Sequence, residues 1–359
     1  MSSESLAGSR ILVLIVARIG DTLLVTPALR ALKQAGANVH LTCMAHPQRR
    51  EVLVASPWID VLDCITPQAA RWRGWLPGRE RWDYAVVYGK DAALIRYALR
   101  VAARVVAFAP SDPSLHRKLW RAVAVPSEPM HAVHERLLLA QALEVSTQTW
   151  TLSYTVTSAE SAAAQQWLQQ RGLNGKFGIG LQLSSFATKS YRDWPQAHFQ
   201  ALLDRVFREF TVKHDVFVVV LGDVASAPAA RELQERFPGR VYSTCGEFRL
   251  RESAALMSRL NLYIGVDTGP THLAGALGLP MVALYHCYHR GRFLAPLQHP
   301  KLRVVEHPLA DDACTRASSM ADITVEHVWT QVRSLLPLDR SAMSDRPAKD
   351  VECGENQNR

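Results

Sequence analysis

Short runs of consecutive apolar residues alternate along the chain with longer amphipathic segments. The first run, RILVLIVA at 10–17, lacks the apolar–polar alternation of a strand with one face in water, so it predicts a strand buried in a parallel sheet. The segment DTLLVTPALRALKQAG at 21–36 then predicts a helix that ends at Gly36. Further strands are predicted at 38–44 and 83–89, and a further helix at 131–145.

The same alternation starts again at Phe177, after a stretch without clear periodicity. Four apolar runs are each followed or preceded by a segment with helical spacing of its apolar residues. The predicted strands are 177–183, 215–222, 261–266 and 280–285, and the predicted helices are 195–210, 227–237, 251–260 and 269–278.

Strands that alternate with helices pair in parallel and carry helices on both faces of the sheet. Two such blocks, separated near residues 146–176, predict an α/β protein with two Rossmann-like domains whose parallel sheets face each other across a cleft. We assign residues 1–160 to an N-terminal domain and residues 161–336 to a C-terminal domain. Residues 337–359 are polar and aperiodic, which predicts a disordered tail.

Composition agrees with a soluble globular protein of two domains, because 359 residues exceed one compact core. The longest apolar run, Ile11 to Ala17, is far below the roughly 18 residues that span a bilayer, and the polar start lacks the features of a signal peptide. The sequence therefore predicts a cytoplasmic protein. The six cysteines show no CxxC spacing, which argues against a zinc ribbon or a disulfide framework and predicts free thiols.

Positive charge is concentrated in the first part of the chain. Residues 1–150 hold 18 Lys and Arg against 12 Asp and Glu, so they carry +6 of the net charge of +8. The densest segment is RWRGWLPGRERW at 71–82, and it can be a solvated loop whose tryptophans cover the core. Arginine and tryptophan also suit an anionic headgroup or a phosphorylated glycan. Nucleic acid is disfavoured, because no nucleic-acid-binding motif accompanies the segment.

A candidate phosphate site lies in YIGVDTGPTHLAGALGLPMVALY at 263–285. The segment predicts a strand-to-helix turn at the carboxyl edge of a parallel sheet, where open α/β proteins bind ligands. Gly269 permits close backbone approach, while Thr268, Thr271 and the amino end of the helix supply donors to an anion. Two alternatives remain open: Asp267 or Thr268 can simply cap the helix, and His272 can be a core histidine. Neither GxGxxG nor GxxxxGK[ST] occurs in the chain.

The chain resembles glycosyltransferase family 9, the ADP-heptose:lipopolysaccharide heptosyltransferases, from residue 10 to about residue 335. Three segments carry the resemblance in order: ILVLIVARIGDTLLVTPALRALK at 11–33, YRDWPQAHFQAL at 191–202 and GVDTGPTHLAGALGLPMVALY at 265–285. The resemblance implies a GT-B fold, with the nucleotide on the C-terminal domain and the acceptor on the N-terminal domain. It also implies an inverting reaction that needs no metal and no cofactor.

The resemblance assigns roles to individual residues. Asp21 corresponds to the catalytic base, and its position after the first strand agrees with that role, although it can also be an N-cap. A solvated surface charge is the alternative for Lys189. The predicted donor-phosphate residues are Thr188, Lys189, Arg192, Asp267, Thr268, Gly269, Thr271 and His272, with Ser184 and Ser185 as further donors from the same loop. The predicted acceptor-binding residues are Arg18, Arg71, Arg73, Arg79 and Arg81.

Three segments depart from the family pattern. Ile15 stands where many members carry a second basic residue, and Gln182-Leu183-Ser184 replaces the usual His-Pro-Gly. The segment from Tyr285 to Phe293, YHCYHRGRF, replaces the usual FGPTDP. A metal site through His286, Cys287 and His289 is disfavoured because ligands so close in one loop lack the spacing of known zinc sites. Hydrogen bonding to a sugar or phosphate is the favoured interpretation of this loop.

The sequence thus predicts an inverting glycosyltransferase that moves a heptose from ADP-heptose to an anionic, lipid-linked lipopolysaccharide-core acceptor. It is expected to work in the cytoplasm, with peripheral contact to the inner membrane surface and without nucleic acid as a partner. Two alternatives remain open. The same chemistry can use another nucleotide sugar, or the chain can be a catalytically idle protein that binds glycans or nucleotides.

Overall fold

The computed structural model describes residues 6–73, 81–210 and 215–336. These residues form two six-stranded, wholly parallel sheets with helices on both faces, as the sequence predicts. The strands of the first sheet are β1 (Arg10–Ile15), β2 (His40–Ala45), β3 (Val61–Cys64), β4 (Trp82–Tyr88), β5 (Ala102–Phe108) and β6 (Arg121–Val123). Those of the second are β7 (Phe177–Gln182), β8 (Val216–Leu221), β9 (Val241–Ser243), β10 (Leu262–Val266), β11 (Met281–Tyr285) and β12 (Leu302–Glu306).

Helices connect consecutive strands. In the N-terminal part they are α1 (Ile19–Leu23), α2 (Thr26–Lys33), α3 (Pro67–Trp72), α4 (Ala92–Val101), α5 (Pro113–His116) and α6 (Ala132–Gln141). In the C-terminal part they are α7 (Ser158–Gln170), α8 (Gln196–Arg205), α9 (Ala227–Arg236), α10 (Leu250–Ser258), α11 (Gly269–Ala276), α12 (Gly291–Leu294) and α13 (Val325–Arg333). Short 3-10 helices span Arg50–Leu53, Ala187–Arg192, Val224–Ser226 and Met320–Asp322, and the π-helix Val206–Phe210 extends α8.

The two sheets have the same topology. The first has the order β3-β2-β1-β4-β5-β6, and the second has the equivalent order β9-β8-β7-β10-β11-β12. In both, the strand order reverses beside the first strand, and the crevice at the carboxyl end of that reversal is where such sheets bind ligands. The fold therefore offers two adjacent ligand positions, one between β1 and β4 and one between β7 and β10.

Burial on both faces of the sheet explains why the strands appear in the sequence as unbroken runs of apolar residues. Every residue of β7, β8, β10 and β11 is buried, because helices cover both faces of the second sheet. The largest core cluster is continuous between the domains. It joins one face of β1, through α2 and α6, to α10 and α11 of the other domain.

The helix predicted at 21–36 is wrong in one respect, because the chain forms two helices there. Pro27 lies in the first turn of α2, where its ring replaces the N–H that would bond to Leu23 and would clash with that carbonyl in a continuous helix. Thr26 Oγ1 donates to the Leu23 carbonyl instead, at 2.7 Å. The break leaves α1 as a separate short helix, which presents Asp21 at the edge of the cleft.

Direct bonds tie the two domains together. His131 Nε2 lies 2.9 Å from the Ala295 carbonyl oxygen, and Arg251 donates to the Glu51 carbonyl at 2.9 Å. Helix α7 packs against α10, although it precedes the second sheet. The domain boundary at residues 160 and 161 stays a prediction, and the predicted tail, 337–359, lies outside the described residues. Among the residues that are described, no helix has the length and hydropathy needed to cross a bilayer.

Candidate functional site

A cavity of about 470 Å³ lies between the domains at the carboxyl edges of β1, β7 and β10. We call it the interdomain cavity. It brings together six residues that the sequence predicts for the site and that come from both domains. These are Arg18 and Asp21 from the N-terminal domain, and Lys189, Arg192, Asp267 and His272 from the C-terminal domain. Four further predicted residues line it as well, namely Ser184, Ser185, Thr268 and Gly269.

Asp21 does not cap a helix. The N-cap of α1 is Arg18, no side chain caps this helix, and Asp21 lies in its first turn. Its carboxylate is 46% exposed, and its nearest charged partner is Arg136 of α6, at 3.6 Å from Nη2 to Oδ1. The N-cap alternative is therefore wrong, and the carboxylate is open to the cavity.

The amino ends of α1 and α11 touch across the cleft because both carry glycine there. A Cβ atom on Gly20 would lie 2.7 Å from Cδ2 of His272, and one on Gly269 would lie 3.2 Å from Ile19. His272 is buried, so desolvation lowers its pKa and the ring is neutral at neutral pH. His272 is thus buried and also forms part of the cavity wall, and its binding of the donor phosphate stays a prediction.

A buried ion pair forms the floor of the cavity. Arg192 Nη1 donates to Asp267 Oδ2 at 2.6 Å, with only 9% and 3% of the two side chains exposed. Asp267 Oδ1 also lies 3.8 Å from His272 Nε2. Asp267 therefore holds Arg192 in place, and the unpaired Arg192 Nε is one of the buried polar atoms left without a partner within the described residues.

The 3-10 helix Ala187–Arg192 supplies the second cation of the site. Desolvation, and then repulsion from Arg192 and Arg18, lower the pKa of Lys189. A bound anion would offset this repulsion between the three positive side chains. Thr188 is exposed and does not line the cavity. Thr271 is fully buried and bonds Tyr263 and the Val266 carbonyl, so it holds the turn together.

The other end of the interdomain cavity consists of residues that the sequence did not identify. Leu221, Phe248 and Met257 form an apolar wall, and Asp223 and Ser226 stand beside it. Asp223 comes two residues after the end of β8, so the general rule that ligands bind at carboxyl ends of parallel strands could have pointed to it. Phe248 and Met257 carry no comparable signal, because Phe248 lies in a connection without a motif and an apolar residue in a helical pattern, such as Met257, usually belongs to the core.

A second cavity, of about 400 Å³, lies in the N-terminal domain at the β1–β4 crevice. We call it the N-domain cavity. Three cations line it, namely Arg18, Lys90 and Arg136, together with Tyr88, whose buried hydroxyl has no hydrogen-bond partner in the part of the chain described. Arg18 and Asp21 line both cavities, so the two ligand positions meet at these residues.

Apart from Arg18, the predicted acceptor arginines that the structure describes lie elsewhere. Arg73 donates to the Cys64 carbonyl and pairs with Asp63 at 3.1 Å. Arg81 precedes β4 at the amino edge of the first sheet, and the seven residues of that strand place it roughly 20 Å from the carboxyl edge. Neither of these arginines nor Arg71 lines the interdomain cavity or the N-domain cavity, and Arg79 lies outside the described residues.

The prediction of free thiols is wrong for one pair. Cys287, just after β11, forms a disulfide with Cys314, 27 residues later. The spacing of the cysteines in the sequence does not reveal this pair, because the loops after β11 and β12 bring the two residues together at one edge of the sheet. His286 Nδ1 lies 3.7 Å from Cys287 Sγ, but each sulfur is bonded to the other and not free to bind a metal. Cys43, Cys64 and Cys245 are free.

Comparisons with known proteins agree with this architecture. The sequence profile described as "Glycosyltransferase family 9 (heptosyltransferase)" matches residues 92–322. The lipopolysaccharide core heptosyltransferase OpsX of Haemophilus influenzae is 29% identical over 122 residues, which cover 32% of this chain and 32% of that protein.

Two solved structures share the fold. A family 9 glycosyl transferase from Veillonella parvula superposes with a TM-score of 0.79 at 20% identity, covering 93% of this chain and 98% of the other. The E. coli ADP-heptose lps heptosyltransferase II gives a TM-score of 0.74 at 20% identity, and the superposition covers 91% of this chain and 98% of the other. Together with the match over residues 92–322, the two-domain fold shows that this chain is a GT-B enzyme that belongs to glycosyltransferase family 9, the heptosyltransferase family.

Proposed function

We propose that this enzyme transfers a heptose from ADP-heptose to an anionic, lipid-linked acceptor of the lipopolysaccharide core, with Asp21 as the general base. The observation that carries the proposal is that Asp21 and Arg18 line both cavities. A donor in the interdomain cavity and an acceptor in the N-domain cavity would therefore meet at the half-exposed carboxylate of Asp21. The names of OpsX and of the E. coli enzyme support the choice of heptose and lipopolysaccharide.

The proposed reaction is a single displacement. The acceptor hydroxyl oxygen attacks the anomeric carbon from the face opposite the diphosphate, the carbon–oxygen bond to the phosphate breaks, and its electron pair leaves with the diphosphate. Asp21 takes the hydroxyl proton, and the configuration at the anomeric carbon inverts. Lys189 and Arg192 offset the negative charge that develops on the leaving diphosphate. A lipid-linked acceptor would require the enzyme to work in peripheral contact with the cytoplasmic face of the inner membrane.

Calorimetric titration with ADP, UDP and GDP tests the choice of donor. We expect ADP to bind most tightly, and to do so in EDTA, because the phosphate-binding charges come from side chains and a helix amino end. A preference for UDP or GDP would favour the alternative nucleotide sugar. Nucleotide binding without any transfer or hydrolysis of the donor would favour the catalytically idle protein.

Substitution of Lys90 by glutamine tests where the acceptor binds. If the anionic group of the acceptor sits in the N-domain cavity, Lys90→Gln should raise the acceptor KM by about tenfold, since a lost charge-assisted hydrogen bond costs roughly 1.5 kcal/mol. The affinity for ADP should not change. Lys118→Gln, an exposed lysine that lines neither cavity, is the matched control.

The alternative is that the arginine segment at 71–81 engages the acceptor or the membrane surface. In that case charge reversal at Arg71 and Arg81 should raise the acceptor KM, while Lys90→Gln should have little effect. Acceptor KM values for the two variants on the same lipid-linked substrate distinguish the two positions. Loss of ADP affinity in either variant would contradict the assignment of the acceptor to the N-terminal domain.

A further inference from the structure

The loop that follows β11, residues 286–290, forms part of the wall of the interdomain cavity. Bonds to residues 307–318 hold it in place. Besides the disulfide at Cys287, His286 Nε2 lies 2.8 Å from the Ser318 carbonyl oxygen. Arg290 is buried, pairs with Asp311 at 2.8 Å and donates to the His307 carbonyl at 2.9 Å. This loop belongs to the segment that departs from the family pattern, so its contacts are features of this chain.

His289 is the residue of this loop that lines the cavity. Its Nε2 atom lies 2.8 Å from the hydroxyl oxygen of Tyr191, and the two rings lie nearly parallel with centroids 6.1 Å apart. Tyr191 belongs to the same 3-10 helix as Lys189 and Arg192. Within the described residues no hydrogen bond is made to Nδ1 of His289. One ring nitrogen thus orients the imidazole, and the other is available to a ligand.

Charged and titratable groups face His289 from three elements. Arg192 and Lys189 approach from the 3-10 helix, His286 from its own loop, and Arg316 from the segment after β12. Desolvation, and then the charges of Arg192 and Lys189, lower the pKa of His289 to about 4, so the ring is neutral at neutral pH. A neutral imidazole N–H among cations is suited to donate to an anionic oxygen, because the surrounding charge attracts the anion that the ring contacts.

We propose that His289 hydrogen-bonds the sugar-bearing phosphate of the donor diphosphate, with Tyr191 as its positioning residue. The assignment rests on the proposed function, since it takes the ligand to be a nucleoside diphosphate sugar. A phosphate fits better than a sugar hydroxyl, because Lys189 and Arg192 converge on the same part of the cavity wall. The sugar must instead face Asp21, which belongs to the other domain.

The test compares ADP with AMP, which lacks the second phosphate. His289→Ala should lower the affinity for ADP by about 10- to 100-fold, the usual effect of losing a hydrogen bond to a charged group, and leave the affinity for AMP unchanged. His289→Gln keeps an N–H donor and should recover part of the loss. Tyr191→Phe should give a smaller loss for ADP, and His327→Ala, an exposed histidine on α13, serves as the control.

Three outcomes would overturn the assignment while the proposed function stands. They are unchanged ADP affinity in His289→Ala, an equal loss for AMP and ADP, or a loss confined to the KM of the sugar nucleotide, which would place His289 against the sugar. If the wild-type enzyme prefers another base, the same comparison is made with that nucleoside diphosphate and monophosphate. Failure of the wild-type enzyme to bind any nucleoside diphosphate would overturn the proposed function and this assignment together.

Discussion

Replacement of Asp21 by asparagine is expected to lower kcat by about 100- to 10,000-fold, because asparagine cannot take the proton of the acceptor hydroxyl. Folding should be nearly unaffected, since Asp21 caps no helix and its contact with Arg136 is long, at 3.6 Å, and partly exposed to solvent. Exposed pairs of this kind contribute at most about 1 kcal/mol. The affinity for ADP should also be retained. Transfer rate, ADP affinity and melting temperature are measured on the same preparation.

Two further variants separate catalysis from structural effects. Glu135→Gln removes the other carboxylate that pairs with Arg136, at 2.7 Å, and leaves Asp21 in place, so an equally large loss of kcat there would point to the Glu135–Arg136 pair in the N-domain cavity and not to Asp21 as the base. Asp91→Ala removes a real cap, since its carboxylate accepts from the backbone of Ala93 and Leu94, and should cost about 1 kcal/mol. Near-normal turnover in a folded Asp21→Asn enzyme would remove Asp21 from the mechanism.

Replacement of Arg192 by methionine should have the largest effect on stability. It leaves the carboxylate of Asp267, 3% exposed, buried without its 2.6 Å partner. Breaking a buried pair from one side typically costs about 3 to 5 kcal/mol. The affinity for ADP should fall as well, because Arg192 lines the interdomain cavity. Thermal unfolding and ADP titration of the variant measure the two effects.

The double variant Arg192→Met/Asp267→Asn tests whether the uncompensated charge is the cause. If it is, the double variant should unfold at a higher temperature than Arg192→Met alone, because the buried carboxylate is then gone. ADP affinity should stay low in both variants, since neither carries the guanidinium. Equal stability of wild type and Arg192→Met would show that water reaches Asp267 and that the pair does not hold the cavity floor.

The sequence by itself determined the fold class and most of the central strands. Strands such as β8 and β10 are buried on both faces, so they appear as continuous β-branched and aromatic runs that are visible without a structure. The positions of Asp21 and the 267–272 turn could be predicted for the same reason, since the turn directly follows β10 and Asp21 follows β1 after a short connection, so both must lie near a carboxyl edge. Five strands escaped prediction. Strands β3, β6, β9 and β12 are short or only partly buried and leave no long apolar run. Strand β5 begins directly where α4 ends, and its first three residues are not fully buried.

Only the tertiary structure decided which of these edges meet. Arg192 and Asp267 are 75 residues apart, and they pair because β7 and β10 are neighbours in the second sheet. The Cys287–Cys314 disulfide has a similar origin in loops that share one edge of that sheet. Conversely, Arg81 is close to Lys90 in sequence but lies at the opposite end of β4. Periodicity reports local burial, whereas strand order and domain contact set the distance between residues far apart in the chain, and no local pattern contains that information.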